Sequence, residues 1–184
     1  MNREEALRLI KEKVHKENLI KHMIAVEACM RRLAAHFGAD EEKWGLAGLL
    51  HDLDYEETKD DPSRHGLVTG EILRGLGVDP EIIYAIEAHP GHKRPRSKLD
   101  WALFSVDPTT GLIVASALMH PSKDLGQVDT DFVMRRFKEK RFAMGANREQ
   151  IKACSMLGLK INDFITLCLE GMRKVADELG LGGE

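Results

Sequence analysis

Between residues 19 and 37, apolar side chains return at alternating steps of four and three: Leu19, Met23, Val26, Met30, Leu33 and Phe37. That is the period of a helix with one buried stripe. Similar spacing recurs along the chain, and nowhere do apolar and polar residues alternate over a useful strand length. The sequence therefore predicts an all-α fold, a helical bundle of about eight helices. Helices are expected over 3–15, 18–37, 41–51, 63–76, 80–89, 98–119, around 130–139, over 148–158 and over 161–179. Gly38 and Gly77 stop two of them, Asp40 caps one and Pro80 opens another. The stretches "DDPSRHG" and "PGHKRPRSK" read as connections. Pro108 falls inside the longest apolar segment, where it removes a backbone donor and predicts a kink. Asn147 and Gln150 have the spacing of a capping box.

At 184 residues the chain is read as a single domain over 1–184, large enough to bury roughly 70% of the surface its unfolded form exposes. Its motif-bearing core spans 18–120 and its C-terminal helices 130–180. A net charge of −3 gives no general reason to expect nucleic-acid or acidic-membrane partners. Cys29, Cys154 and Cys168 are odd in number, far apart and set among apolar residues, which suits reduced core thiols. The N-terminus is charged and amphipathic, unlike a signal peptide. The longest uncharged apolar stretch, "GLIVASALM", is too short to span a bilayer. A cytoplasmic location is expected, and a homodimer is possible.

Several apolar faces end in groups that are costly to bury. His22 sits between Leu19 and Val26, and His51 follows Ala47 by four. His65 is in register with Val68 and Ile72, His89 continues the row Ile82 and Ile86, and Asp107 follows Leu103 by four. Five expected helices thus each turn a histidine or aspartate inward. An unpaired buried imidazole or carboxylate costs several kcal/mol, roughly, and more when charged. A shared metal ion would satisfy all of them. His51 and Asp52 are neighbours about 100° apart on a helix, so they can grip one ion only with other helices supplying further ligands.

Histidine, then His-Asp, then a distant aspartate resembles the HD-domain metal-dependent phosphohydrolases. The resemblance covers most of residues 18–120. It is carried by "LIKHMIAVEACM" with His22, "GLLHDLDYE" with His51 and Asp52, and "WALFSVDPTTGLI" with Asp107. "SRHGLVTGEIL" with His65 and "AIEAHPGHKRP" with His89 resemble the extra histidines of subgroups that hold two metals. Among these is the bacterial branch that splits dinucleoside tetraphosphates symmetrically. The resemblance implies that His22, His51, Asp52 and Asp107 bind a first metal. Asp52 then bridges to a second, held by His65 and His89. "HDLDYE" departs from the HD-I-G-K form of one subgroup, and no substrate-defining element is matched beyond residue 121.

Mixed imidazole and carboxylate ligation suits one or two divalent ions of Fe, Mn, Co, Ni or Zn, whereas calcium prefers oxygens. The implied activity is hydrolysis of a phosphoester or phosphoanhydride in a small phosphorylated substrate, a nucleotide or dinucleoside polyphosphate, by metal-bound hydroxide. Asp52 and Asp54 are the candidate catalytic carboxylates, with Asp54 placed to steer or deprotonate the attacking water. In the basic loop after His89, Arg94 and Lys98 are the candidate phosphate-binding residues. A second basic run with Lys138, Lys140 and Arg141 reads as a surface helix anchored by Phe137 and Phe142. Two other classes fit the same residues: a metal-bound module that senses a ligand or binds a partner, and a di-iron site that activates oxygen.

Overall fold

In the computed structural model, which describes residues 1–183, capping side chains set where most helices begin. Helix α1 (Arg3–Lys13) starts after Asn2, whose side chain accepts from the Glu5 amide while Glu5 returns the bond to the Asn2 amide. Helix α2 (Glu17–Phe37) stops at Gly38. Asp40 caps α3 (Glu41–Leu50). A single turn, α4 (Tyr55–Thr58), follows; it is too short to leave a periodic sign in the sequence. Then come α5 (Leu67–Gly75), α6 (Pro80–Ala88) under an Asp79 cap, and α7 (Lys98–Met119), which opens on a reciprocal Ser97–Asp100 cap. The last are α8 (Thr130–Lys138), α9 (Arg148–Lys152) and α10 (Ile161–Arg173). Among the described residues there is no strand, only one isolated bridge between Asp124 and Gly182. The all-α expectation holds.

Three expected helices are shorter in the structure by more than two residues. The span 63–76 divides into a 3-10 turn, Pro62–Arg64, and α5. The break is Gly66 at φ +81°, a conformation that side-chain-bearing residues rarely adopt. The span 148–158 is α9 followed by a 3-10 turn over Ala153–Leu157. The span 161–179 leaves α10 at Arg173, after which the amides of Lys174, Val175 and Ala176 bond carbonyls three residues back.

Helix α2 is the packing axis, in contact chiefly with α3, α10 and α7. Its stripe residues Met23, Val26, Met30 and Leu33 are fully buried, each contributing about 1.5–3 kcal/mol by transfer from water. Helix α3 comes close enough to α2 that a Cβ on Gly48 would lie 2.9 Å from the Glu27 backbone. Glu27 itself is buried, and its charge is compensated by Arg3 at 2.7 and 3.1 Å and Arg31 at 3.0 Å. Helix α7 is long and apolar enough to cross a bilayer by length and composition, yet more than half of it is buried against other helices. It runs unbroken through Pro108. The carbonyl of Phe104, which loses its usual donor to the proline ring, accepts instead from Gln150 Nε2 at 2.8 Å.

A candidate two-part metal centre

Helix ends supply two of the histidines in the same way. His51 and His89 are the residues after the last turns of α3 and α6, in helical conformation. Each donates its Nδ1–H to the carbonyl three residues back, Gly48 at 2.7 Å and Ile86 at 2.5 Å. Those carbonyls are among the acceptors a helix end leaves unsatisfied, so capping and aiming the ring are one interaction. His65 lies in the connection before α5 rather than in a helix, because Gly66 breaks the chain there. Only His22, in α2, and Asp107, in α7, sit within helices.

The structure brings these side chains together as two adjoining clusters. In the first, His22 Nε2 is 2.9 Å from Asp107 Oδ1 and 3.1 Å from His51 Nε2. His51 Nε2 is 3.2 Å from Asp107 Oδ1. Asp52 Oδ2 lies 3.3 Å from both imidazoles. In the second, His65 and His89 bring their Nε2 atoms to 3.1 Å from each other, and to 3.2 and 3.4 Å from Asp52 Oδ1. Asp52 thus gives one oxygen to each cluster.

Hydrogen-bond direction decides what the clusters want. His51 and His89 spend Nδ1–H on carbonyls, and His65 spends it on Asp54 Oδ1 at 2.7 Å. Thr110 donates its hydroxyl to the Asp107 carbonyl at 3.0 Å, so toward His22 Nδ1, at 3.2 Å, it acts as the acceptor. In its neutral form each of the four rings therefore turns an Nε2 lone pair inward, onto the oxygens of Asp52 and Asp107. Apart from a proton taken up by the rings themselves, no donor from the described residues enters this ring of acceptors. Imidazole lone pairs and carboxylates gathered in this way are the donor set of a divalent ion, and these residues fit one in each cluster.

The same crowding shifts their proton affinities. At His22, burial pulls the pKa down, but Asp107 and Asp52 outweigh it and raise the value to about 9. At His65, burial is likewise outweighed by Asp52 and Asp54, again to about 9. His51 also stands well above its ordinary value against the penalty of burial, held there by Asp52 and Asp107. Burial would raise the carboxyls of Asp52 and Asp107, yet the surrounding imidazoles hold both far below the usual range. Positive charge of some kind is what this pocket stabilises.

Asp54 does other work than expected. Its side chain is fully buried at 0% exposure, and chain donors occupy both oxygens. His65 Nδ1–H takes Oδ1, and the amides of Gly66 and Thr69 take Oδ2 at 2.8 and 2.9 Å. It fixes His65 and the start of α5, and does not line the cavity where water would be activated. Arg94 and Lys98 are also placed away from the centre. Tyr84 donates its hydroxyl to the Arg94 carbonyl at 2.9 Å, which folds this loop back on α6, and the Lys98 ammonium lies over the Phe37 ring at 4.7 Å. Neither lines the cavity beside these two clusters.

That cavity, about 610 Å³, opens over His22, Asp52, His65 and Asp107. His22 and Asp107 are each 26% exposed toward it and His65 16%, whereas His51 and His89 are closed off. One wall comes from Ala143, Gly145, Ala146, Asn147 and Gln150, in the region where the sequence offered no substrate-defining element. Arg148 organises this loop, donating to the carbonyls of Phe137 at 3.1 Å, Ala143 at 2.7 Å, Ala146 at 2.8 Å and Glu139 at 3.2 Å, and to that of Phe142. Lys138, Lys140 and Arg141 do not line the cavity. The capping box expected at α9 forms by half. Asn147 accepts from the Gln150 amide at 3.1 Å, but the Gln150 side chain goes to Phe104 instead of returning the bond. The missing N–H of Pro108 was the sequence signal for that partner.

The HD domain family model matches residues 19–126. Ribonuclease Y of Sulfurovum sp. is 27% identical over 174 residues, which are 91% of this chain and 34% of that protein. Ribonuclease Y of Nitratidesulfovibrio vulgaris is 30% identical over 95 residues, 52% of this chain and 18% of that one. An uncharacterized protein of Methanocaldococcus jannaschii is 33% identical over 177 residues, 90% of this chain and 99% of its own length. The chain spans about a third or less of the length of these two Ribonuclease Y relatives. No solved structure matches it.

Proposed function

The chain belongs to the HD-domain family, a superfamily of metal-dependent phosphohydrolases, and we propose that it hydrolyses a phosphoester or phosphoanhydride bond in a small nucleotide. The carrying observation is Asp52, whose two oxygens each complete a separate group of inward lone pairs beneath an open cavity. His22, His51, Asp52 and Asp107 would hold one divalent ion, and Asp52, His65 and His89 a second, drawn from Fe, Mn, Co, Ni or Zn. When bound, such ions acidify a water molecule near neutral pH and offset charge gathering on a phosphoryl group.

The chain's own residues set the conditions for that chemistry. The carbonyls of Gly48 and Ile86, the Thr110 hydroxyl and Asp54 keep four imidazoles in the tautomer that offers Nε2. His51 and His89 close the floor of the centre to solvent, while His22, Asp107 and His65 leave its cavity side open to a substrate. The relatives named as ribonucleases support a phosphorylated, nucleotide-type substrate. The test is to incubate metal-loaded protein with a nucleotide panel. Phosphate release or phosphoanhydride cleavage that a chelator stops, and that Asp52→Ala lacks, supports the reading. Tight ligand binding without turnover across the panel points instead to a sensing module.

A further inference from the structure

The cavity over the centre carries a specificity signal of its own. None of its lining residues is a lysine or arginine. Beyond the clustered histidines and aspartates, its polar surface consists of the amides of Asn18, Asn147 and Gln150 and the ring of Tyr55. Within this cavity a phosphoryl group would be neutralised at the metal positions, and further phosphates would meet uncharged walls. Lys21 lines the adjoining cavity beyond His22, where Glu17 lies 3.3 Å from its ammonium. Gln150 is half-buried and held at one end. Its Nε2 is tied to the Phe104 carbonyl at 2.8 Å, and only the amino end of the side chain can serve that acceptor. The flip is thereby fixed. The Oε1 takes no hydrogen bond from the described residues and is not among their sealed, unpartnered polar atoms.

Resting on the phosphohydrolase reading, we propose that Gln150 is a specificity-determining residue. Its Oε1 accepts from an N–H or O–H donor on the neutral body of a substrate that carries a single phosphoryl group. Pro108 enables this by denying the Phe104 carbonyl a backbone donor, so one proline beside Asp107 both leaves the anchor free and fixes the amide that reads the substrate. A nucleoside monophosphate has the required chemistry, a neutral body bearing donors and one phosphoryl group. A dinucleoside tetraphosphate does not, because its extra phosphates find no cationic side chain in this cavity.

The experiment compares kcat/KM for a nucleoside 5′-monophosphate and for 4-nitrophenyl phosphate, whose leaving group brings no N–H donor, in the metal-loaded full chain. Gln150→Leu lowers the ratio of the two constants by about 5–10-fold, the loss of one hydrogen bond. Nucleotide binding by calorimetry weakens by a similar factor, with metal content retained. Pro108→Ala, which returns an N–H to the Phe104 carbonyl and releases the Gln150 amide, shifts the ratio in the same direction. An unchanged ratio in folded, metal-replete Gln150→Leu overturns the inference and leaves the phosphohydrolase reading standing. Faster turnover of a dinucleoside tetraphosphate than of the monophosphate also overturns it. Hydrolysis of no phosphorylated compound overturns both.

Discussion

The two halves of the centre share Asp52 and differ in how they are supported. The first half takes His22 from the 21-residue α2, Asp107 from the 22-residue α7 and His51 from the end of α3, which is buried along most of its length. The second takes His89 from the end of the nine-residue α6 and His65 from the connection between a 3-10 turn, Pro62–Arg64, and α5. What α2 and α7 do for the first half by packing, the single buried carboxylate of Asp54 does for His65 by hydrogen bonding. Packing against several helices spreads the cost of a disturbance, whereas a lone hydrogen-bond support concentrates it. The second half should therefore be the easier to lose.

Asp52→Ala removes the shared group and should abolish the distinction altogether. Both metal equivalents are expected to be lost, and activity to fall by about 10³-fold or more, the equivalent of several kcal/mol of charge stabilisation. Metal analysis with kinetics checks this. Asp54→Asn separates the halves. It replaces the acceptor of His65 Nδ1–H, and affinity for the second ion should drop about 10–100-fold while the first is retained. Stepwise metal titration reads the difference; equal weakening at both positions would erase the proposed asymmetry.

Gly48→Ala probes the packed half. Its Cβ would push on the Glu27 backbone from 2.9 Å, separating α3 from α2 and His51 from His22. A stability loss of about 1–3 kcal/mol is expected, as for overpacking elsewhere, read by denaturant unfolding. In this variant the first ion, not the second, is the one expected to bind more weakly.

The smallest effect is the pH response of metal-free protein. His22 and His65, one from each half, have values raised to about 9 from an ordinary 6.5. Folding therefore favours their protonated forms. That contribution is fully present below about 6.5 and is lost as pH rises through 9. In chelator the melting temperature should fall by a few degrees over this interval. Metal affinity should rise over the same interval, because protons leave the competing nitrogens. A melting temperature that climbs with pH in chelator would contradict the arrangement of both rings.

The fold is largely legible because apolar period and caps act locally. The stripe from Leu19 to Phe37, the Asp40 cap and the Pro80 start all correspond to elements in the structure. Ends governed by tertiary contacts or backbone conformation are not, as at Gly66 and at the early close of α10. That His22, His51, His65, His89 and Asp107 each need a partner is visible because buried polar groups demand one. The grouping of His22, His51, Asp52 and Asp107 is visible through the resemblance to HD-domain proteins. That His51, His65 and His89 lie outside regular helix is not visible, since periodicity cannot distinguish a last helical residue from a capping one. The role of Asp54 is hidden because proximity in sequence to His51 and Asp52 says nothing about which donors its oxygens meet. Gln150 is hidden for a related reason: its partner is 46 residues away, at a carbonyl whose need arises from Pro108.

Crystals grown with one first-row divalent metal offer the most direct measurement, through anomalous scattering at that metal's edge. Two peaks are expected about 4 Å apart, one among His22, His51, Asp52 and Asp107 and the other among Asp52, His65 and His89. Peaks elsewhere, or none in a metal-replete crystal, would contradict the two-part centre.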